Sequence, residues 1–255
     1  MTTTRAIVRR PSPRVADGEV THLDRVPLDV PRALAQHAAY CDLLRTLGLR
    51  LIEAPEAPEH PDGLFVEDAL LIIGGQAVLT RPGAASRAGE VASIEPVVEA
   101  LGLPIERIRE PGTLDGGDVL AVGHHVFVGR STRTNDAAIA QLAEIMAPLG
   151  RSVVAAEVTG CLHLKSAITA LPDGSLIAVP GWIDPSFFTD LGYEVHLAEE
   201  RSGGDVLWHG TTVVLPASAP STAAKLEELG FDVAPIDVGE LEKIEAGVTC
   251  MSVLF

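Results

Sequence analysis

The sequence predicts an α/β fold in which five hairpin-plus-helix units stand around a ring. Three observations carry this reading. Paired apolar runs recur around short turns, helix-like stretches separate them, and the two chain ends together supply one further pair.

The internal hairpins are DALLIIGGQAVLTRPG from Asp68, DVLAVGHHVFVGRS from Asp118, SAITALPDGSLIAVPG from Ser166 and DVLWHGTTVVLPAS from Asp205. Their turns carry Gly-Gly, Gly-His-His, Pro-Asp-Gly and His-Gly, residues suited to a tight reversal between antiparallel strands. The fifth pair sets TRAIVRRPS near the amino end against VTCMSVLF at the carboxyl end, closing the structure on itself. Between the hairpins lie helical stretches: PRALAQHAAYCDLLRTLG from Pro31, ASIEPVVEALG from Ala92, NDAAIAQLAEIMAPLG from Asn135, PSFFTDLG from Pro185 and STAAKLEELG from Ser221. Several open on Pro, Ser or Asn and all end at Gly, the expected start and stop chemistry. In the first, Leu34, Ala38, Cys41, Leu44 and Leu47 fall on one helical face, which makes Cys41 a core residue. An open α/β sheet is the competing architecture, but hairpins favour antiparallel pairing over single parallel strands. The polar stretch Val15–Pro31 reads as a mobile loop or lid.

Composition narrows the functional classes. A formal charge of −16, from 19 Lys+Arg against 35 Asp+Glu, repels a phosphate backbone and argues against a nucleic-acid partner. No apolar run approaches the roughly 18 residues of a spanning helix, so no membrane role is expected. The start, MTTTRAIVRRPSP, lacks the apolar stretch of a secretory signal. Three cysteines, Cys41, Cys161 and Cys250, leave one unpaired in any disulfide scheme and read as thiols in a reducing, cytoplasmic setting. Residues 1–255 are expected to form a single domain, and a homodimer is compatible with the sequence.

Cys250 in GVTCMSVLF and His163 in GCLHLKS each stand where an apolar strand begins. Alone, the first reads as a small buried residue and the second as an ordinary loop histidine. The functional reading makes them a nucleophile and its base, provided that the two meet in space. Cys161, two residues from His163, is a rival nucleophile or a metal ligand. Asp62, Glu67 and Asp68 in PDGLFVEDALL, and Asp115 and Asp118 in LDGGDVL, gather at the mouths of hairpins. Asp beside Gly often serves only a turn; placed together, carboxylates also fork onto a planar cation, and one can orient an imidazole. Arg87 in TRPGAASR and Arg133 in GRSTRTN follow hairpins at matching places, either as surface charges or as a clamp for a substrate carboxylate.

The segments FVED, LTRPGAASR, LDGGDVL, STRTN, LHLKS and TCMSVL, in that order from about Asp62 to the carboxyl end, resemble the dimethylarginine dimethylaminohydrolases. That family belongs to the guanidine-modifying (pentein) superfamily, whose fold is a five-bladed α/β propeller. The resemblance implies one catalytic domain over residues 1–255, with Cys250 as nucleophile, His163 as general acid/base and Asp115 as the carboxylate that orients it. It further implies that Asp62, Glu67 and Asp68 surround the guanidinium, that Phe65 packs at the pocket, and that Arg87 and Arg133 receive the amino-acid carboxylate. The expected reaction converts methylated arginine to citrulline and methylamine or dimethylamine through a covalent thiouronium. It calls for no cofactor or metal, although deprotonated Cys250 and His163 are both good zinc ligands and zinc bound to them could block the reaction. An arginine deiminase, an amidinotransferase and a non-enzymatic methylarginine-binding protein are the alternatives.

Overall fold

The computed structural model describes residues 3–255. Five three-stranded sheets share one connectivity: an antiparallel pair, a helix, then a third strand parallel to the second. In the first unit, β1 (Arg5–Val8) leads through α1 (Val30–Thr46) to β2 (Arg50–Glu53). The second begins with the single turn α2 (Val66–Ala69) and runs β3 (Leu70–Ile73), β4 (Gln76–Leu79), α3 (Glu90–Ala100), β5 (Ile105–Arg107). The third is β6 (Val119–Val122), β7 (His125–Arg130), α4 (Asp136–Met146), β8 (Ser152–Glu157). The fourth opens with α5 (Leu164–Ala167) and continues β9 (Ile168–Ala170), β10 (Leu176–Ala178), α6 (Ser186–Thr189), β11 (Val195–Leu197). The fifth is β12 (Leu207–His209), β13 (Thr212–Pro216), α7 (Pro220–Glu228), β14 (Asp232–Ile236). After α8 (Gly239–Glu242), β15 (Ser252–Leu254) returns to pair antiparallel with β1, Ile7 opposite Val253. The hairpins and helices therefore lie where the sequence places them, in a closed five-bladed α/β propeller. The parallel strands β2, β5, β8, β11 and β14 are additions the hairpin pattern did not contain.

The middle strands explain why this arrangement is stable. Each is covered on both faces, so its apolar residues run continuously and alternate between two neighbouring cores. Ile7 packs with β3 and β4 whereas Ala6 and Val8 pack with Val214; Val126 and Val128 face the second sheet whereas Phe127 faces the fourth. The core thus lies between blades rather than in one central slab. The helices end as expected, at Gly48, Gly102, Gly150, Gly192 and Gly230, all in the left-handed conformation that a side chain disfavours. Asn135 caps α4 by accepting from the Ala138 N–H.

One helical face is corrected. Cys41 and Leu44 are buried as expected, but Ala38 is exposed, and the inner face of α1 is Ala33, Gln36, His37, Tyr40, Cys41 and Leu44. Gln36 and Tyr40 can be buried because their polar ends have partners: Gln36 Nε2 donates to Asp237, and the Tyr40 hydroxyl donates to the Val248 carbonyl.

The inner strands surround a channel of about 520 Å³, lined by residues such as Leu70, Leu120, Thr169 and Val253 and, at the end where these strands begin, by Glu67, Lys165 and Thr249. Among the described residues, no helix is long and apolar enough to cross a membrane.

Phe127 is fully buried against Phe187, Phe188 and Tyr193 in edge-on ring contacts. Phe127→Ala is expected to lower stability by about 3–5 kcal/mol in urea unfolding, because this seam between blades cannot collapse around the void.

Candidate active site

Five short segments lead into the inner strands, and their convergence makes the site. Asp62, Phe65, Asp68, Arg87, Arg133, His163 and Cys250 line one cavity of only about 20 Å³, together with Glu19, Leu162, Ile244 and Glu245. Glu67 and Asp115 stand behind this lining. The structure therefore brings together residues that are far apart in sequence.

His163 precedes α5 and is buried, its Nε2 donating to Asp115 Oδ2 at 3.1 Å while Nδ1 lies 4.0 Å from Asp68 Oδ1. Burial opposes an imidazolium here, but Asp68, the Asp115 hydrogen bond and Asp118 outweigh it and raise its pKa to about 9. The neutral-pH form is thus a cation between carboxylates. Asp115 is itself fixed, accepting from the Gly83 N–H at 2.8 Å, and its own N–H donates to Thr134 Oγ1. Asp118 does not reach the cavity; it accepts from the Leu164 N–H, Ser131 and Thr134 and so anchors the backbone beside His163.

Cys250 lies in the turn before β15. Its Sγ donates to the Gly247 carbonyl at 3.1 Å and accepts from the Gly247 N–H at 3.3 Å. Burial pushes the thiol well above its ordinary pKa, and Asp205, Asp68 and Glu67 push it further. With only protein around it, Cys250 is therefore a thiol. Cys161 is held away from this chemistry: it is buried outside the cavity lining, and its Sγ donates to the His163 carbonyl.

The two arginines that looked equivalent in sequence have different surroundings. Arg87 is buried, with Nε and Nη2 on Glu90, Nη1 on Asp68 at 2.5 Å, and longer bonds from Nη2 to the Asp62 and Phe65 carbonyls. Only one Nη1 proton is left without a partner. Arg133 is less committed, Nη2 donating to Thr21 and Nη1 standing 3.8 Å from Asp115. Asp62 accepts the Glu19 N–H with both oxygens, and burial raises its pKa. Glu67 pairs with Lys165, and its backbone N–H reaches the Cys250 carbonyl. Its second oxygen is buried without a partner, and burial, against the pull of Lys165, lifts it to about 7.

The stretch expected to act as a lid covers this cavity. Glu245 accepts the N–H groups of Thr21 and His22, Glu240 accepts that of Asp29, and Lys243 donates to the Pro27 carbonyl. Glu245 has φ of 62°, a left-handed backbone unusual for a side chain of its size. The latch is therefore built into the chain that carries Cys250. Glu90, Lys165, Asp205, Glu240 and Glu245 were not singled out in the sequence. Asp205 had a signal in the repeat of GGDVL at Gly116 and Gly203, and Glu90 in its i,i+3 spacing from Arg87.

Asp68, Asp115 and His163 bring three donor atoms within 4.8 Å of one another, a grouping able to hold a metal ion. Cys250 is not in it.

Relatives show the lineage. The chain is 46% identical over 254 residues to an N(G),N(G)-dimethylarginine dimethylaminohydrolase of Streptomyces coelicolor, covering 99% of this chain and 97% of that one. It is 35% identical over 252 residues to the Pseudomonas aeruginosa protein of that name, covering 98% of each. This chain belongs to the dimethylarginine dimethylaminohydrolase family. A solved structure of a Cys-to-Ser variant of the Pseudomonas aeruginosa family member, complexed with citrulline, superimposes with a TM-score of 0.93 at 33% identity over 100% of both chains. A His-to-Gly family variant bearing an S-methyl-L-thiocitrulline adduct gives 0.92 at 34% identity, again over 100% of both. The amino-terminal domain of a cyanobacterial arginine dihydrolase, 18% identical with a TM-score of 0.89 over 100% of this chain and 97% of that one, shares the fold. No family model matches the chain.

Arg87→Met is expected to cost about 3–5 kcal/mol of stability, since it strands Glu90 as a buried charge without its ion-pair partner and takes one of two cations from Asp68. Arg133→Met, measured alongside by urea unfolding, should cost far less.

Proposed function

We propose that this chain hydrolyses methylated arginine to citrulline and methylamine or dimethylamine, acting as one catalytic domain over residues 1–255. The observation that carries the reading is the meeting of Cys250, a charged His163 and unneutralised carboxylates in one covered cavity. Free thiols at all three cysteines support work in a reducing compartment such as the cytoplasm.

In this reading a guanidinium enters a field that suits its charge. Asp68, Asp62 and Glu67 hold its unmethylated nitrogens, Phe65 offers an apolar wall to the methyls, and Arg133, with the remaining Arg87 donor, receives the α-carboxylate. The substrate cation offsets the field of Asp68, Glu67 and Asp205, so the Cys250 thiol gives its proton to solvent and the thiolate attacks the guanidinium carbon. A C–S bond forms. The His163 imidazolium then protonates the methylated nitrogen, the C–N bond breaks, and the amine departs from a thiouronium. Neutral His163, held in orientation by Asp115, takes a proton from water as the oxygen adds to the same carbon. Expulsion of the Cys250 thiolate leaves the ureido group of citrulline. A cavity with room for about one water has to open for this substrate, and in this reading the covering stretch from Val15 to Pro31 gates its entry.

Incubation with asymmetric dimethylarginine should yield citrulline and dimethylamine in equal amounts, with kcat/KM higher than for arginine. Cys250→Ser should yield neither product, and the quenched wild-type enzyme should carry its adduct on the Cys250 peptide. A preference for arginine, or an adduct on Cys161, would overturn the assignment.

The acid role of His163 also fixes a pH dependence. A raised pKa means the imidazolium persists below about 9 and is lost above it, so single-turnover amine release should decline as pH rises through about 9. A decline completed by pH 7 would contradict the carboxylate pairing of the imidazole.

A further inference from the structure

Asp205 adds to the field around Cys250, and its side chain also makes two hydrogen bonds to the nucleophile's turn. Its Oδ1 accepts the Thr249 N–H at 3.0 Å and its Oδ2 the Thr249 hydroxyl at 3.2 Å. Gly247, whose N–H and carbonyl both engage the Cys250 sulfur, passes so close that a Cβ there would collide with both Asp205 oxygens. The carboxylate is buried.

The same contact recurs around the ring. Asp68, Asp118, Asp205 and Cys250 occupy one position of the repeat, two residues before a paired residue of an inner strand: Asp68-Ala-Leu, Asp118-Val-Leu, Asp205-Val-Leu, Cys250-Met-Ser. Asp68 accepts the Gly117 N–H of the next blade, and Asp118 the Leu164 N–H of the blade after that. The second of these fixes the backbone next to His163. Asp205 makes the corresponding reach to Thr249, the residue before Cys250.

We propose that Asp205 is a positioning residue for Cys250: its carboxylate shapes the 247–250 turn that presents the sulfur and, when ionised, sets a negative charge behind it. The inference rests on Cys250 being the nucleophile. Position and charge serve one end, since the thiol is aimed before substrate arrives but ionises only when a cation enters. The titratable groups facing Cys250 are Asp205, Glu67 and Asp68 behind it and Tyr40 from α1. Across the cavity stand Asp62, His163, Arg87 and Arg133, with Glu19 and Glu245 toward the covering stretch. Lys165 partly offsets Glu67 and Asp205. Of these, Asp205 contributes the largest charge effect on the thiol.

Asp205→Asn removes the charge and keeps an acceptor; Asp205→Ala removes both. Alkylation of Cys250 by iodoacetamide, followed across pH by mass spectrometry of its peptide, should shift in the Asn variant to a midpoint about one pH unit lower, so that the rate below the midpoint rises roughly tenfold. The Ala variant should lose about tenfold or more in kcat with KM within about threefold, a loss that Asn partly restores. An Asn profile coincident with wild type, or an Ala variant with wild-type kcat, overturns the proposal. Should Asp205→Ala not fold, Thr249→Val deletes one donor to the same carboxylate, and its kcat must fall with KM unchanged; an unchanged kcat again overturns it. Alkylation reads Cys250 whether or not methylarginine turns over. A shifted profile without citrulline formation would therefore remove the proposed activity and leave the positioning intact.

Discussion

The structure depends on a hydrogen bond that one blade extends to the next. A carboxylate at the start of an inner strand accepts a backbone N–H from the entrance of the following blade, as Asp68 does for Gly117, Asp118 for Leu164 and Asp205 for Thr249. Between the first and second blades the backbone makes the link, the Glu67 N–H donating to the Cys250 carbonyl. Short segments without regular secondary structure would otherwise leave polar backbone groups unsatisfied at the centre of the molecule, a larger cost than the bonds themselves return. The same bonds set the spacing of the segments that carry His163 and Cys250, so the blades and the site share one set of contacts.

Gathering carboxylates at an axis concentrates charge away from water, and the molecule answers it unevenly. Arg87 is shared between Asp68 and Glu90, and Lys165 offsets Glu67. His163 takes a proton it would not hold in water because Asp68, Asp115 and Asp118 surround it. Burial raises the pKa of Asp205, Asp62 and Glu67, the last to about 7, so the cost of taking these carboxylates out of water outweighs the cations and N–H donors that face them. A planar cation supplies what is missing, whereas an anion or neutral molecule does not. Selectivity for guanidinium thus begins as a property of the folded hub before any single contact to substrate is considered.

Much of this was legible in the sequence because its signals are local. Hairpin turns, helix stops and the apolar alternation of each middle strand all lie within a dozen neighbouring residues, and the match of Arg5–Val8 with Ser252–Leu254 follows from two unpaired strands at the chain ends. The third strand of each blade was not legible: Ile105–Arg107 and Val195–Leu197 are short and partly exposed at an edge, with little apolar patterning to betray them. At the site, residue types announced Cys250, His163, Asp62, Asp68 and Asp115, whereas Glu245 and Asp205 are defined by partners 223 or 44 positions away. Arg87 and Arg133 mark the limit most sharply. Their sequence surroundings match, and only the fold commits one to Glu90 and Asp68 and leaves the other nearer the cavity mouth.

The pairing of β15 with β1 also ties the timing of chemistry to folding. Cys250 stands two residues before the strand that joins the first blade, so its turn acquires its shape only when segments separated by nearly the whole chain meet. Bringing such distant segments together carries a loop-closure entropy that local hairpins escape, and contacts of this range form slowly. A partly folded intermediate with four completed blades would hold a histidine and carboxylates but no aimed thiol. The Cys250 turn therefore takes its place beside the His163 segment only when the ring shuts, and accessibility of the Cys250 thiol during refolding becomes a clock for that closure.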